Sequence, residues 1–297
     1  MVSFIFWLKN KFFSPIFIKI WSFINCVLFP NVCINCYSLN VSTENESITN
    51  CKKTNELSNY NINNYFCEKC IKKIIPINQN ECCERCGYPM PKENFLDTHK
   101  KCHCCELLHP QFNIARSCFE YRGIIRHLLL MLKYHFSTDC LDFIGKTMYK
   151  IYLENMAIKH FQQPDIVCFV PITQTKLITK TFNHSAIIAN AFFKEFQKHN
   201  ATAKQTEILY DFFVKTQKTK QAKLLNQQER ITKKHFFSIN QKYLTTEYKN
   251  FFSNKTILII DDIMTTGGTL NELSIILKKA FNHCQIECLT FARTILY

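Results

Sequence analysis

Glycine is nearly missing from this chain, with five residues among 297. Two of the five, Gly267 and Gly268, stand side by side, which singles out one place for unusual backbone angles. Acidic residues are also in deficit, 23 against 37 lysines and arginines, for a formal net charge of +14. That imbalance suggests an anionic partner: nucleotide, nucleic acid or membrane surface. It is weak evidence alone, because lysine greatly outnumbers arginine and Asn, Ile and Phe abound, as an AT-rich genome would produce. Long apolar runs are absent too. No stretch before Pro30 reaches the ~18–20 uninterrupted apolar residues of a transmembrane span. Residues 1–30 contain no acid and no small-residue cleavage site, and Lys9, Lys11 and Lys19 are spread through them, which argues against a secretory signal. They form a basic, aromatic, amphipathic segment that either packs on the protein or lies on a membrane surface. With 47% hydrophobic residues the chain buries a core and is not disordered.

Cysteine is in excess. Twelve of the 17 lie between Cys26 and Cys105. Eight of those twelve form four CxxC pairs: Cys33/Cys36, Cys67/Cys70, Cys83/Cys86 and Cys102/Cys105. Each x₂ turn sets two thiolates on one side of a knuckle, and two knuckles make a tetrahedral S₄ site. The last two pairs are 15 residues apart, the spacing of a zinc ribbon. The first two are separated by 30 residues, rich in Asn, Ser and Glu, that read as an inserted loop. Gly87 after Cys86 suits the sharp turn of a knuckle. Two structural Zn²⁺ ions in a reducing compartment are the expectation, with an iron–sulfur or redox role as the alternative. Cys26, Cys51, Cys82 and Cys104 are spare thiols, and His103 is not needed as a ligand.

The sharpest signal is residues 257–270. Ile257 to Ile260 read as a strand buried on both faces, as in a parallel sheet. Asp261 and Asp262 follow where such a strand should end. Thr265, Thr266, Gly267, Gly268 and Thr269 come next, and Leu270, Leu273, Ile276, Leu277 and Ala280 mark a helix starting near Thr269. Helix N-terminal amides and three hydroxyls can cradle a phosphate. The aspartates can accept hydrogen bonds from sugar hydroxyls or hold Mg²⁺.

Elsewhere apolar periodicity predicts helices from Ile124 to Tyr134, over 139–160 and through Phe196. Strands are expected at Ile166–Val170, Ile208–Tyr210, Phe212–Val214, Phe236–Ile239 and Ile286–Ala292. Pro171 ends the first of these, and the loop 172–181 carries Lys176 and Lys180. Alternating strands and helices imply a doubly wound, mostly parallel α/β sheet with ligand at the carboxyl ends of its strands. Three segments result: 1–30 at the N-terminus, a double zinc-ribbon module over 31–112, and an α/β domain over 113–297.

Residues 257–270 closely resemble the phosphoribosyl-pyrophosphate (PRPP) motif of type I phosphoribosyltransferases. With the cysteine module ahead of it, the chain resembles the ComF family from about Leu28 onward. That family joins a double zinc ribbon to a type I phosphoribosyltransferase domain. The resemblance is carried by Leu28-Phe29-Pro30, Tyr121-Arg122-Gly123, Arg126, Leu132-Lys133-Tyr134, Val170-Pro171, Phe182-Asn183 and Ala292-Arg293-Thr294. Thr219, Leu225, Arg230 and Phe237 fall at the spacing of the family's flexible loop. Lys180-Thr181 stand where the family has Arg-Gly, and His184 where it has Gln, which keeps charge but loses a bidentate fork. Gln221 is displaced from the usual Gln of that loop, and Lys233 replaces its Asn.

The resemblance implies that Thr265–Thr269 hold the 5′-phosphate of PRPP and Asp261/Asp262, the catalytic pair, its ribose hydroxyls. Lys176 or Lys180 with Mg²⁺ would neutralise the pyrophosphate, and Lys215, Lys218, Lys220 and Lys223 would form a lid. The expected function is a cytoplasmic enzyme that transfers phosphoribose to an unidentified acceptor. The alternative is a DNA-uptake factor that binds single-stranded DNA with the competence machinery, with PRPP as regulator or relic. In either case residues 1–30 would allow attachment to the inner membrane face.

Overall fold

Five short apolar runs pair side by side into one parallel sheet. In the computed structural model, which describes residues 33, 35–38, 66–90, 102–134, 140–173, 182–200, 205–215 and 236–295, the sheet strands are β1 (Ile114–Glu120), β2 (Ile166–Phe169), β3 (Glu207–Ile208), β6 (Thr256–Met264) and β7 (Gln285–Arg293). Their order is β1-β7-β6-β2-β3, with every pairing parallel. β4 (Phe213–Lys215) and β5 (Phe237–Ile239) pair with each other as a separate antiparallel ribbon rather than joining the sheet. The helices are α1 (Glu68–Ile71), α2 (His103–Leu108), α3 (Gly123–Tyr134), α4 (Cys140–Ala157), α5 (His184–His199), α6 (Thr246–Phe252) and α7 (Gly268–Ala280). The expected doubly wound α/β class is what the chain adopts.

Strand β6 lies between β2 and β7, so both of its pleated faces must be apolar. Ile257 and Ile259 share a buried cluster with Leu270, Leu273 and Leu277 of α7. Leu258 and Ile260, on the opposite pleat, are equally buried. Helix α5 packs on β6 and β2, and on α4, where Tyr152 meets Phe192 edge-on with ring centroids 5.6 Å apart. The β4–β5 ribbon is tied to α7 by Glu272, which accepts from the amides of Phe236 and Phe237.

Two features depart from the sequence expectations. Strand β6 does not end at its carboxylates; it continues to Met264, because β7 keeps pace with it as far as Arg293. And β1, which periodicity does not reveal, forms the edge beside β7 with every residue from Ile114 to Phe119 buried. Arg116 and Ser117 interrupt its apolar pattern, yet both are fully buried.

The chain divides into two compact units, Met1–Lys73 and Ile74–Tyr297. The thiols of Cys83, Cys86, Cys102 and Cys105 belong to the larger unit and share a core cluster with the sheet and α7. Residues 1–30, the inserted loop over 39–65, Lys176, Lys180 and the lysines from 218 to 223 lie outside the described residues. Among the described residues no helix is long and apolar enough to cross a membrane.

Between β1 and β7, Ser117 Oγ and Thr290 Oγ1 share a buried hydrogen bond of 2.6 Å. Thr290→Val leaves the Ser117 hydroxyl dry and unpaired, so denaturant unfolding should show a loss of about 1–3 kcal/mol. Adding Ser117→Ala should recover part of that loss; a double variant worse than the sum of both singles would contradict the pairing.

Candidate active site and metal centres

The chain leaves β2 for β3 on one side of the sheet and leaves β6 for β7 on the other. Such a reversal opens a crevice at the carboxyl ends of β2 and β6. Burial of β6 breaks at that point: Ile260 is fully buried, whereas Asp261, Asp262 and Ile263 keep some contact with solvent. Asn183 caps α5 by accepting from the Ser185 amide, and its Nδ2 donates to the Val170 carbonyl at the end of β2. That cap aims Ser185 Oγ at Asp261 Oδ1, 2.7 Å away. The same oxygen accepts from the Asp262 amide at 2.9 Å. From α3, Lys133 Nζ reaches Asp262 Oδ2 at 2.5 Å.

Asp261 is consequently an unusual acid. Packing around it, and then the Asp262 carboxylate, push its pKa up to about 7 against the pull of Ser185, the Asp262 amide and Lys133. A folded-state pKa above the unfolded value means that the fold loses stability as pH rises from about 4 towards 7. A perturbed acid in a crevice marks a site where a hydrogen-bond donor or cation would relieve the cost.

The loop that follows leads into a helix N-terminus. Thr265 and Thr266 are exposed, while Gly267 is buried, left-handed at φ 85° and the N-cap of α7. The positive φ requires glycine, while a Cβ there would lie 2.6 Å from Met264 Cε and displace that flexible side-chain end. Helix α7 then starts at Gly268, and its first-turn amides lack intrahelical partners. Exposed Thr265, Thr266 and Thr269 and those amides follow the two carboxylates directly in the chain, and such groups at a helix N-terminus can hold an anion. The fold thus gathers Asp261, Asp262 and Thr265–Thr269 at one crevice; Lys176 and Lys180 lie outside the described residues. Sequence reasoning missed Ser185 and Lys133 as parts of this site. Lys133 was visible only within Leu132-Lys133-Tyr134, and Ser185 gave no signal, since both arrive from other helices.

The eight CxxC cysteines form two clusters, Cys33/Cys36/Cys67/Cys70 and Cys83/Cys86/Cys102/Cys105, each with all four Sγ atoms within 4.8 Å of one another. Four soft thiolates at this spacing fit a structural Zn²⁺. Both are built alike. The first pair sits on a turn closed by a backbone bond, Tyr37 N to Cys33 O in one and Gly87 N to Cys83 O in the other. The residue after that pair is left-handed in both, Tyr37 at φ 59° and Gly87 at φ 68°. Tyr37 is exposed, whereas a Cβ at Gly87 would come 2.7 Å from the Ala115 carbonyl of β1. The second pair opens a short helix, with Cys67 capping α1 and Cys102 capping α2. Cys82 is a packed thiol outside the cluster, donating to the Gln79 carbonyl, and His103 points to solvent near Glu106.

Residues 188–295 match the family model described as phosphoribosyl transferase domain. The match runs from α5 through β7, includes both aspartates and the Thr/Gly loop, and supports a transferase of the type I phosphoribosyltransferase kind. No curated protein matches the chain.

A carbon-13 titration of the aspartate carboxyls should show the Asp261–Asp262 pair taking up a proton with a midpoint near 7. Ser185→Ala removes a bond that favours the ionised form and should move that midpoint upward. Both carboxyls titrating near 4 would contradict the geometry.

Proposed function

We propose that the crevice binds PRPP with Mg²⁺ and that the protein transfers its phosphoribosyl group to a nitrogen acceptor. One observation carries the reading: paired carboxylates near the carboxyl end of a central parallel strand, which a Thr/Gly loop joins to a helix N-terminus. The Gly268 and Thr269 amides with the hydroxyls of Thr265, Thr266 and Thr269 would hold the 5′-phosphate. Asp261 and Asp262 would accept from the ribose hydroxyls, which fixes C1 for in-line displacement of pyrophosphate. Fixing the sugar and stabilising its oxocarbenium-like state is the bulk of the work. Mg²⁺ would neutralise the leaving pyrophosphate, and Lys176 and Lys180 are the cations proposed to assist. Lys133 already neutralises Asp262 in the free protein. The ComF-like arrangement, with ribbons over 31–112 ahead of a domain over 113–297, is part of the same proposal, as is a cytoplasmic location.

A second reading, single-strand binding in DNA uptake, is favoured by one surface. Tyr248 and Phe251 on α6 are 38% and 45% exposed, and Lys255 Nζ lies 5.8 Å from the Phe251 ring centroid. A lysine beside an exposed ring suits stacked bases, although Lys255 Nζ also pairs with Asp165 at 2.8 Å. Oligonucleotide binding that survives physiological salt and weakens in Phe251→Ala would favour that reading.

Calorimetry should detect PRPP binding in the presence of Mg²⁺ and a loss of at least about 10-fold in Asp261→Asn/Asp262→Asn, with unfolding still cooperative. Undiminished affinity in that variant would place the ligand elsewhere.

A further inference from the structure

Two arginines in the larger unit are completely buried, Arg116 on β1 at 0% and Arg293 on β7 at 1% exposure. Burying a guanidinium is expensive unless an anion or a full set of acceptors offsets it. Neither makes an ion pair with a carboxylate among the described residues. Both donate instead to backbone carbonyls of one cysteine knuckle, and Arg116 has further partners beyond it. Arg116 Nη1 donates to the carbonyls of Glu84 at 3.1 Å and Cys83 at 3.4 Å, as well as to Ala115 at 2.8 Å. Its Nε is held by Asn155 Oδ1 at 2.9 Å, and Nη2 lies 2.9 Å from His160 Nδ1. Arg293 Nη1 donates to the Cys86 carbonyl, and its guanidinium lies 4.9 Å from the Tyr88 ring centroid. Arg293 Nε is buried without a hydrogen-bond partner. Two desolvated positive charges thus flank Cys83 and Cys86.

Four thiolates around a divalent ion carry a net charge of −2, and two guanidinium groups carry +2. We propose that Arg116 and Arg293 are positioning residues of the Cys83/Cys86/Cys102/Cys105 centre, whose tetrathiolate–metal dianion they neutralise inside the core. The arrangement also explains why a strand as buried as β1 tolerates an arginine. The other centre is more open, with Cys36 exposed, and no buried arginine accompanies it among the described residues. It serves as an internal control.

The test compares the two centres in the full chain. Competition with a chromogenic chelator resolves two Zn²⁺ release steps, assigned with Cys36→Ser and Cys86→Ser. Arg116→Met and Arg293→Met should each weaken only the second centre, on the order of 10–100-fold, as loss of an outer-shell partner does. Arg293→Lys, which keeps the charge, should hold more tightly than Arg293→Met. Equal affinities in wild type and both methionine variants would overturn the proposal. If those variants do not fold, the wild-type chain decides. With iron in place of zinc, one-electron reduction adds a negative charge to each tetrathiolate. Burial alone would make the second centre harder to reduce, whereas two adjacent cations make it easier. A higher potential at the second centre is expected; an equal or lower one overturns the proposal.

Discussion

Strand β6 can deliver two carboxylates to a crevice only because the residues before them are buried on both faces. Ile257 to Ile260 are held between β2 and β7, with α5 and α7 covering them. A strand locked on four sides cannot slip, since a shift of one residue would put its side chains on the wrong faces. Asp261 and Asp262 are therefore fixed against the end of the apolar layer. The groups that answer them come from elsewhere: Ser185 from the cap of α5 and Lys133 from α3. The Thr/Gly loop is fixed in the same way from below, with Gly267 beside Met264, the last residue of the strand.

The first CxxC pair of each centre spends its left-handed residue differently. Tyr37 takes positive φ at an exposed position where its side chain has room, at a cost of roughly 1 kcal/mol. Gly87 takes it where the knuckle presses on β1, and only a residue without Cβ fits. The second knuckle is thereby continuous with the sheet, and its carbonyls meet the buried arginines of β1 and β7. At the far end of that contact, Arg293 Nη1 also lies 3.4 Å from the Sδ of Met264, the residue before the Thr/Gly loop.

Much of this was legible in the chain. Four consecutive aliphatics, two acids, a Thr/Gly loop and a 3.6-residue apolar period specify strand, rim, anion loop and helix from local rules alone. CxxC spacing does the same for the thiol clusters, although the partner of each pair is a matter of tertiary structure. The sequence hid what depends on distant neighbours. Strand β1 was invisible because Arg116 breaks its pattern, and the partners of that buried side chain, Cys83, Glu84, Asn155 and His160, lie about 30–45 residues away in sequence. The extension of β6 to Met264 depends on the length of β7. Ser185 and Lys133 are ordinary helical residues until the fold brings them to the acids.

The end of β6 and the start of α7 are proposed as a PRPP site. Amide hydrogen exchange of the full chain, with and without PRPP and Mg²⁺, tests it most directly. Protection gained on binding should be greatest at Asp262–Asn271, with a lesser gain around Asn183–Ser185, whose cap touches Asp261. Binding that leaves the exchange of Gly268–Leu270 unchanged would contradict the account.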